Sequence, residues 1–129
     1  MSSAQPKRAR LEVEDVGKVT IVKFVEERIR DEVQIREIGK QLFELVDGSG
    51  DEPGRKILLL NLGNVKYLSS AALGPLLTLN KKLSKAGGIL VLCEIDDQLY
   101  EVFGFSNLEK LFRCVRKEAT ALTNLGVKR

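Results

Sequence analysis

The spacing of apolar residues changes several times along the chain, and each change marks an element. Leu11-Glu12-Val13-Glu14 alternates apolar with polar, as a half-buried strand does. Asp15-Val16-Gly17-Lys18 supplies a turn, and Val19-Thr20-Ile21-Val22-Lys23-Phe24-Val25 is the β-branched return strand of a hairpin. A charged passage follows, Glu26-Glu27-Arg28-Ile29-Arg30. Asp31 then caps a helix, since its carboxylate can accept a bond from the free N–H groups of the first turn. Ile35, Ile38, Leu42, Leu45 and Val46 fall on one stripe of that helix, and the run from Gly48 to Gly54 ends it.

From there the apolar runs are continuous and short. Ile57 to Leu62 predicts a strand buried on both faces, as parallel sheets require. The next helix carries Leu73, Leu76, Leu77, Asn80 and Leu83, and Ala86-Gly87-Gly88 closes it, because glycine tolerates the left-handed conformation there. Ile89 to Ile95 is a second buried strand. A short helix runs from Gln98 to Phe103 and ends near Gly104; a strand follows from about Leu111, and a last helix spans Lys117 to Leu125. The order is β-β-α-β-α-β-α-β-α. Helices alternating with buried strands imply right-handed crossovers, so the predicted class is α/β: a mixed, mostly parallel β-sheet packed with α-helices.

Composition narrows the function more than the fold. A length of 129 residues favours one domain, taken as residues 10–129 behind a flexible basic arm at 1–9. No apolar run approaches the ~20 residues that span a bilayer, and MSSAQPKRAR lacks the apolar stretch of a secretory signal, so a cytoplasmic location is expected. The net charge of +3 comes partly from Lys7, Arg8 and Arg10. No aromatic residues interleave with them, so direct nucleic-acid binding is not expected. The chain contains no histidine, which removes histidine triads, histidine general bases and most zinc sites. Cys93 and Cys114 each lie in an apolar run and are expected to be buried free thiols.

Little else supports catalysis. Gly48-Ser49-Gly50 follows a helix, and no lysine–serine pair stands where a phosphate loop needs it. Ser70 sits at a strand-to-helix junction, but without the glycine-flanked nucleophile pattern or a base to take its proton. Asp96, between a strand and a helix, is placed to cap that helix. Tyr67, after the central strand, is expected to pack with its hydroxyl near the surface. A small enzyme or nucleotide-binding protein using Ser70 or Asp96 is therefore disfavoured.

The stretch Val65-Lys66-Tyr67-Leu68-Ser69-Ser70-Ala71-Ala72-Leu73-Gly74, following Leu58-Leu59-Leu60-Asn61-Leu62, resembles the central motif of the STAS family, the anti-sigma-factor antagonists and their relatives. Ala86-Gly87-Gly88-Ile89-Leu90-Val91-Leu92 and Val102-Phe103-Gly104-Phe105-Ser106-Asn107-Leu108 resemble later parts of the family pattern, and the likeness extends from about Leu11 to Val115. There are departures. Ser69 replaces the motif aspartate, Ala72 replaces its first glycine, and Pro75 enters the helix early. The family's Gly-Glu-apolar-Asp is only approximated by Glu27-Arg28-Ile29-Arg30-Asp31.

The resemblance implies a regulatory protein, with no catalysis of its own and no cofactor or metal. Its expected partner is an anti-sigma factor or serine kinase, with no membrane partner; the oligomeric state is left open. Ser70 matches the serine that such a kinase phosphorylates in the antagonist subfamily. Ser69, Ser70, Ala71, Ala72 and Gly74 would shape the partner contact, the alanines keeping the surface low. Ser69 or Ser70 would also cap the helix, worth about 1 kcal/mol, and Pro75 would remove one helix N–H and bend the first turn. The alternative is a STAS scaffold or ligand-sensing module that is never phosphorylated.

Overall fold

A computed structural model describes residues 9–48, 50–105 and 110–128. Strands β1 (Leu11–Val16) and β2 (Val19–Phe24) form the antiparallel hairpin, in a register pairing Leu11 with Phe24 and Val16 with Val19. Strands β4 (Ile57–Asn61), β6 (Ile89–Cys93) and β7 (Arg113–Val115) add in parallel, giving the order β1-β2-β4-β6-β7. Helices α1 (Glu32–Asp47), α2 (Leu73–Lys85), α3 (Asp97–Phe105) and α4 (Glu118–Asn124) complete the order read from the sequence. Two elements were not foreseen. Strands β3 (Arg28–Ile29) and β5 (Tyr67–Leu68) pair in parallel as a separate two-stranded sheet.

The continuous apolar runs do face two ways. Leu58, Leu60, Leu90 and Leu92 join Val22, Leu42, Leu76 and Leu83 in a core roofed by α1, α2 and α3. Leu59, Val91 and Cys93 face the opposite side, where Ala121 and Leu122 of α4 cover them. Burying a leucine fully contributes roughly 1.5–3 kcal/mol, so these central strands anchor the whole assembly. Asp31 caps α1 as expected: its carboxylate accepts from the Val33 and Gln34 N–H groups. Asp96 likewise accepts from the Gln98 N–H at the start of α3, at 3.0 Å.

After α2, Gly87 takes φ +81°, and the Gly88 N–H returns to the Leu83 carbonyl at 2.7 Å. A Cβ on Gly88 would stand 2.1 Å from the Lys56 carbonyl oxygen, so only glycine lets β6 start beside β4.

Several boundaries differ from expectation. The buried stripe of α2 is Leu73, Leu76, Leu79 and Leu83; Asn80 is half-buried, its amide donating to the Leu111 carbonyl at 2.9 Å. Strand β6 ends at Cys93 rather than Ile95, because Glu94 turns into the left-handed region at φ 55°. That turn lets its carboxylate accept the first N–H of α4, from Glu118, at 2.7 Å. Strand β7 starts at Arg113, two residues later than predicted. The arm up to residue 8 and the Ser106-Asn107-Leu108 turn lie outside the described residues. No helix among the described residues is long and apolar enough to cross a membrane.

Candidate functional site

The paired serines sit where the small β3–β5 sheet meets α2. The approach loop is pinned at each step. The Leu62 N–H donates to the Cys93 carbonyl at 2.9 Å, and the Gly63 N–H to Asn61 Oδ1 at 2.8 Å. The Asn64 amide donates to the carbonyls of Phe24 and Val25, at 3.0 and 2.9 Å, tying the loop to the end of β2. The N–H groups of Lys66 and Tyr67 both reach the Glu27 carbonyl, and the Ser69 N–H donates to the Ile29 carbonyl at 2.9 Å. Val65 and Leu68, fully or nearly buried, hold the loop down from below.

Strand β3 is held in turn by Gln34. Its side-chain oxygen accepts from the N–H groups of Arg30 and Asp31 at 2.9 and 3.0 Å, and its Nε2 donates to the Arg28 carbonyl at 2.7 Å. This buried amide pairs with β3 much as a neighbouring strand would, while completing the capping box begun by Asp31. Arg10 closes the far side: its guanidinium lies 2.7 Å from both Glu26 and Glu37, clasping the start of β1 to α1 and to the passage leading into β3.

On this platform Ser70 is exposed. It opens a 3₁₀ turn, Ser70–Ala72, that runs directly into α2. The Ala72 N–H closes on the Ser69 carbonyl at 3.0 Å, which leaves the N–H groups of Ser70 and Ala71 at the open end of the helix. The Leu73 N–H is shared between the carbonyls of Ser70 and Ala71. Pro75, with no N–H, cannot serve the Ala71 carbonyl itself. Its ring instead lies over Gly39, so α1 and α2 meet closely there.

Three expectations about this stretch need correction. Neither serine caps the helix: Ser69 holds the N-cap position in extended backbone, φ −72° and ψ 159°, yet makes no side-chain cap bond. Its Oγ is buried without a hydrogen-bond partner. The N-cap of α2 is Ala72, which has no group to cap with. Ala72 is also 5% exposed and belongs to the core, so it cannot shape a surface directly. Tyr67 is 45% exposed on β5 rather than packed at the end of the central strand. Ser70, Ala71 and Gly74 remain on the surface, and a Cβ on Gly74 would meet nothing within 4 Å.

Beneath the serines lies a small apolar hollow of about 10 Å³ between α1 and α2, lined by Phe24, Ile29, Leu68 and Ala72 among others. It holds one water at most, so no ligand of useful size fits there. Both cysteines are free, but only Cys93 is fully buried; Cys114, on the short edge strand β7, is half-buried. Burial, reinforced by the carboxylates of Glu118 and Glu94, pushes the Cys93 thiol up to about 12.

The architecture is that of a known family. The STAS domain model matches residues 17–121. The chain belongs to the STAS domain family. Relatives of this STAS chain include a putative anti-sigma factor antagonist, BtrV, of Bordetella bronchiseptica, 38% identical over 47% of the chain and 53% of the relative. The chain spans about half the length of that curated relative. Among solved structures, an anti-sigma-factor antagonist (STAS) domain protein from Planctomyces limnophilus superposes with a TM-score of 0.77 at 20% identity, covering 92% of this chain and 98% of the other. The Bacillus cell fate determinant SpoIIAA in its phosphorylated form superposes with a TM-score of 0.64 at 16% identity, covering 89% and 98%. At such identities the likeness is one of fold.

Proposed function

We propose that this STAS chain is a non-catalytic regulator that docks on a protein partner through the surface around Ser70, and that Ser70 is a phosphoacceptor. The partner is an anti-sigma factor with serine kinase activity. The γ-phosphoryl of ATP passes to Ser70 Oγ, the hydroxyl proton leaves, and ADP is released. One observation carries the reading: Ser70 is exposed at the open end of α2, on a backbone pinned by the β3–β5 bonds. A preformed loop spares the partner the cost of ordering it. The kinship with anti-sigma factor antagonists supplies the class of partner.

The same geometry makes phosphorylation a switch of binding rather than of folding. A phosphate adds about −1.5 to −2 charges. Beside the positive end of α2 that charge is favoured, by a few tenths to ~1 kcal/mol. At a closed interface it must be desolvated or repelled, which weakens docking. Incubation with the cognate kinase and ATP, followed by mass spectrometry, should place one phosphate on Ser70. Ser70→Asp should weaken the partner on the order of tenfold or more, equivalent to about 1.4 kcal/mol. No phosphate on Ser70 under conditions where the partner binds removes the switch. Partner affinity unchanged in both Ser70→Ala and Ser70→Asp favours the unphosphorylated scaffold instead.

A further inference from the structure

The strand that pins Ser69 also presents two guanidinium groups beside it. In β3, Ile29 points inward, 2% exposed, while Arg28 before it and Arg30, just past the strand, are exposed. The register pairs Arg28 with Tyr67 and Ile29 with Leu68, so Arg30 stands level with Ser69, one residue from Ser70. The Ser69 N–H bond to the Ile29 carbonyl keeps the two backbones together at that point. Ser70 follows Ser69 directly, so the backbone sets Arg30 across this edge from the serine that would carry the phosphate.

Neither arginine is committed elsewhere. The ion pairs among the described residues engage Arg10, Arg55, Lys66 and Lys82, and leave Arg28 and Arg30 without a carboxylate. The neighbouring acids are largely occupied. Glu26 is held by Arg10 through Oε2 while its Oε1 is buried without a partner, and the Asp31 carboxylate accepts from the Val33 and Gln34 N–H groups. Asp96 lies 4.0 Å from Lys66. Glu27 is exposed beside Arg28, and the first turn of α2 carries no acidic residue.

We propose that Arg30 is the receptor for a phosphate on Ser70, with Arg28 as a second cation behind it. The inference rests on the reading of Ser70 as the phosphoacceptor and adds how the mark is held. A guanidinium forks onto phosphate oxygens through two N–H bonds. Capture would fix the phosphate against β3 and withdraw Arg30 from any partner that uses it. Phosphorylation then alters the docking surface twice, by adding an anion and by occupying a cation.

The test installs phosphoserine at position 70 of the full chain by codon reassignment, so it needs no kinase. A failure here is therefore distinct from a kinase that leaves Ser70 unmodified. ³¹P NMR follows the second ionisation of the phosphate, with a phosphoserine peptide of residues 66–74 as reference. In the folded chain the midpoint should fall below that of the peptide by roughly half a unit to one unit. Arg30→Gln should return it towards the peptide value, and Arg30→Lys should restore part of the shift as a charge without the fork. Added salt should shrink the difference. Equal midpoints in the parent chain and Arg30→Gln overturn the proposal, as does a shift that depends on Arg28 alone. The parent chain gives a second readout: the Arg30 Nε–H resonance should move as the phosphate ionises, and an indifferent resonance is equally fatal.

Discussion

Replacing Gln34 by alanine should loosen the serine loop from a distance. Gln34 is 93% buried, and its amide is the partner of two N–H groups and one carbonyl in the Arg28–Asp31 segment. A net hydrogen bond is worth about 0.5–1.5 kcal/mol, and a buried polar group left unpaired costs about 1–3 kcal/mol. The segment runs along the surface, where water can replace part of what is lost. The expected destabilisation is therefore about 2–3 kcal/mol rather than the full sum of three orphaned groups. At roughly 2.1 cal/mol/K of unfolding entropy per residue, that lowers Tm by about 7–11 °C.

The stronger test is local. Strand β3 holds Ser69 through the Ile29 carbonyl, so the Ser69 amide should exchange with solvent faster in Gln34→Ala, and by more than amides of β4 or β6 do. Gln34→Glu keeps the acceptor oxygens and loses the donor to Arg28, so it should fall between the two. Circular dichroism melts and amide hydrogen exchange measure both effects. If Gln34→Ala melts with the parent chain and leaves Ser69 protection unchanged, the account of how the serine loop is positioned is wrong.

Three further outcomes follow from single residues. Ser69→Ala should leave Tm unchanged or raise it, because it removes a buried hydroxyl with no partner; a loss of about 1 kcal/mol would restore the capping role that the structure denies. Asp15 is held below the usual carboxylate range by its hydrogen bonds to Arg55 and then Thr20, so its contribution is present above the unfolded pKa of about 3.9 and lost as pH falls through the lower folded value. The parent chain should thus lose Tm more steeply than Arg55→Gln on acidification below about pH 4, and parallel pH profiles would refute it. With its thiol raised to about 12 and its side chain buried, Cys93 should resist iodoacetamide in the native chain at pH 8 while Cys114 reacts first, an order that peptide mass spectrometry reads directly.

The main sheet was legible because its signals are local and redundant. Strands β2, β4 and β6 are β-branched or leucine runs, and each is bounded by a cap or a glycine turn. The position of Ser70 was legible for the same reason, from a strand, a short loop and a helix in succession. Strands β3 and β5 were not, because each is only two residues long and their pairing joins positions 39 apart, Arg28 with Tyr67. Nothing within either segment reports the other. The alternation Arg28-Ile29-Arg30 and the spacing Asp31-Glu32-Val33-Gln34 were the available hints, the second being a capping-box pattern. Ala72 could have been placed in the core from spacing alone, since 72, 76, 79 and 83 fall on one helical face.

Two of the departures from the family motif adjoin this small sheet: Ser69 directly follows β5, and the passage from Glu27 to Asp31 contains β3. Where the family's motif aspartate would stand, Ser69 brings a neutral hydroxyl that is buried and unpaired. Beside it, Arg28 in β3 and Arg30 just after β3 are exposed and make no ion pair among the described residues, between Glu27 and Asp31. A neutral residue at 69 and the arginines at 28 and 30 offset the acids that remain near Ser70, and the Ser69 N–H bond to the Ile29 carbonyl holds the backbone that presents it. A loop held in this way can display a hydroxyl for modification. It can also hold a dianion that an acidic neighbourhood would repel. Restoring the acid with Ser69→Asp should therefore raise the ³¹P midpoint of phosphoserine 70, since a like charge beside the phosphate disfavours its second ionisation. A midpoint unmoved by that substitution would show that charge at position 69 does not reach the phosphate, and that the residue standing there does not set how the dianion is held.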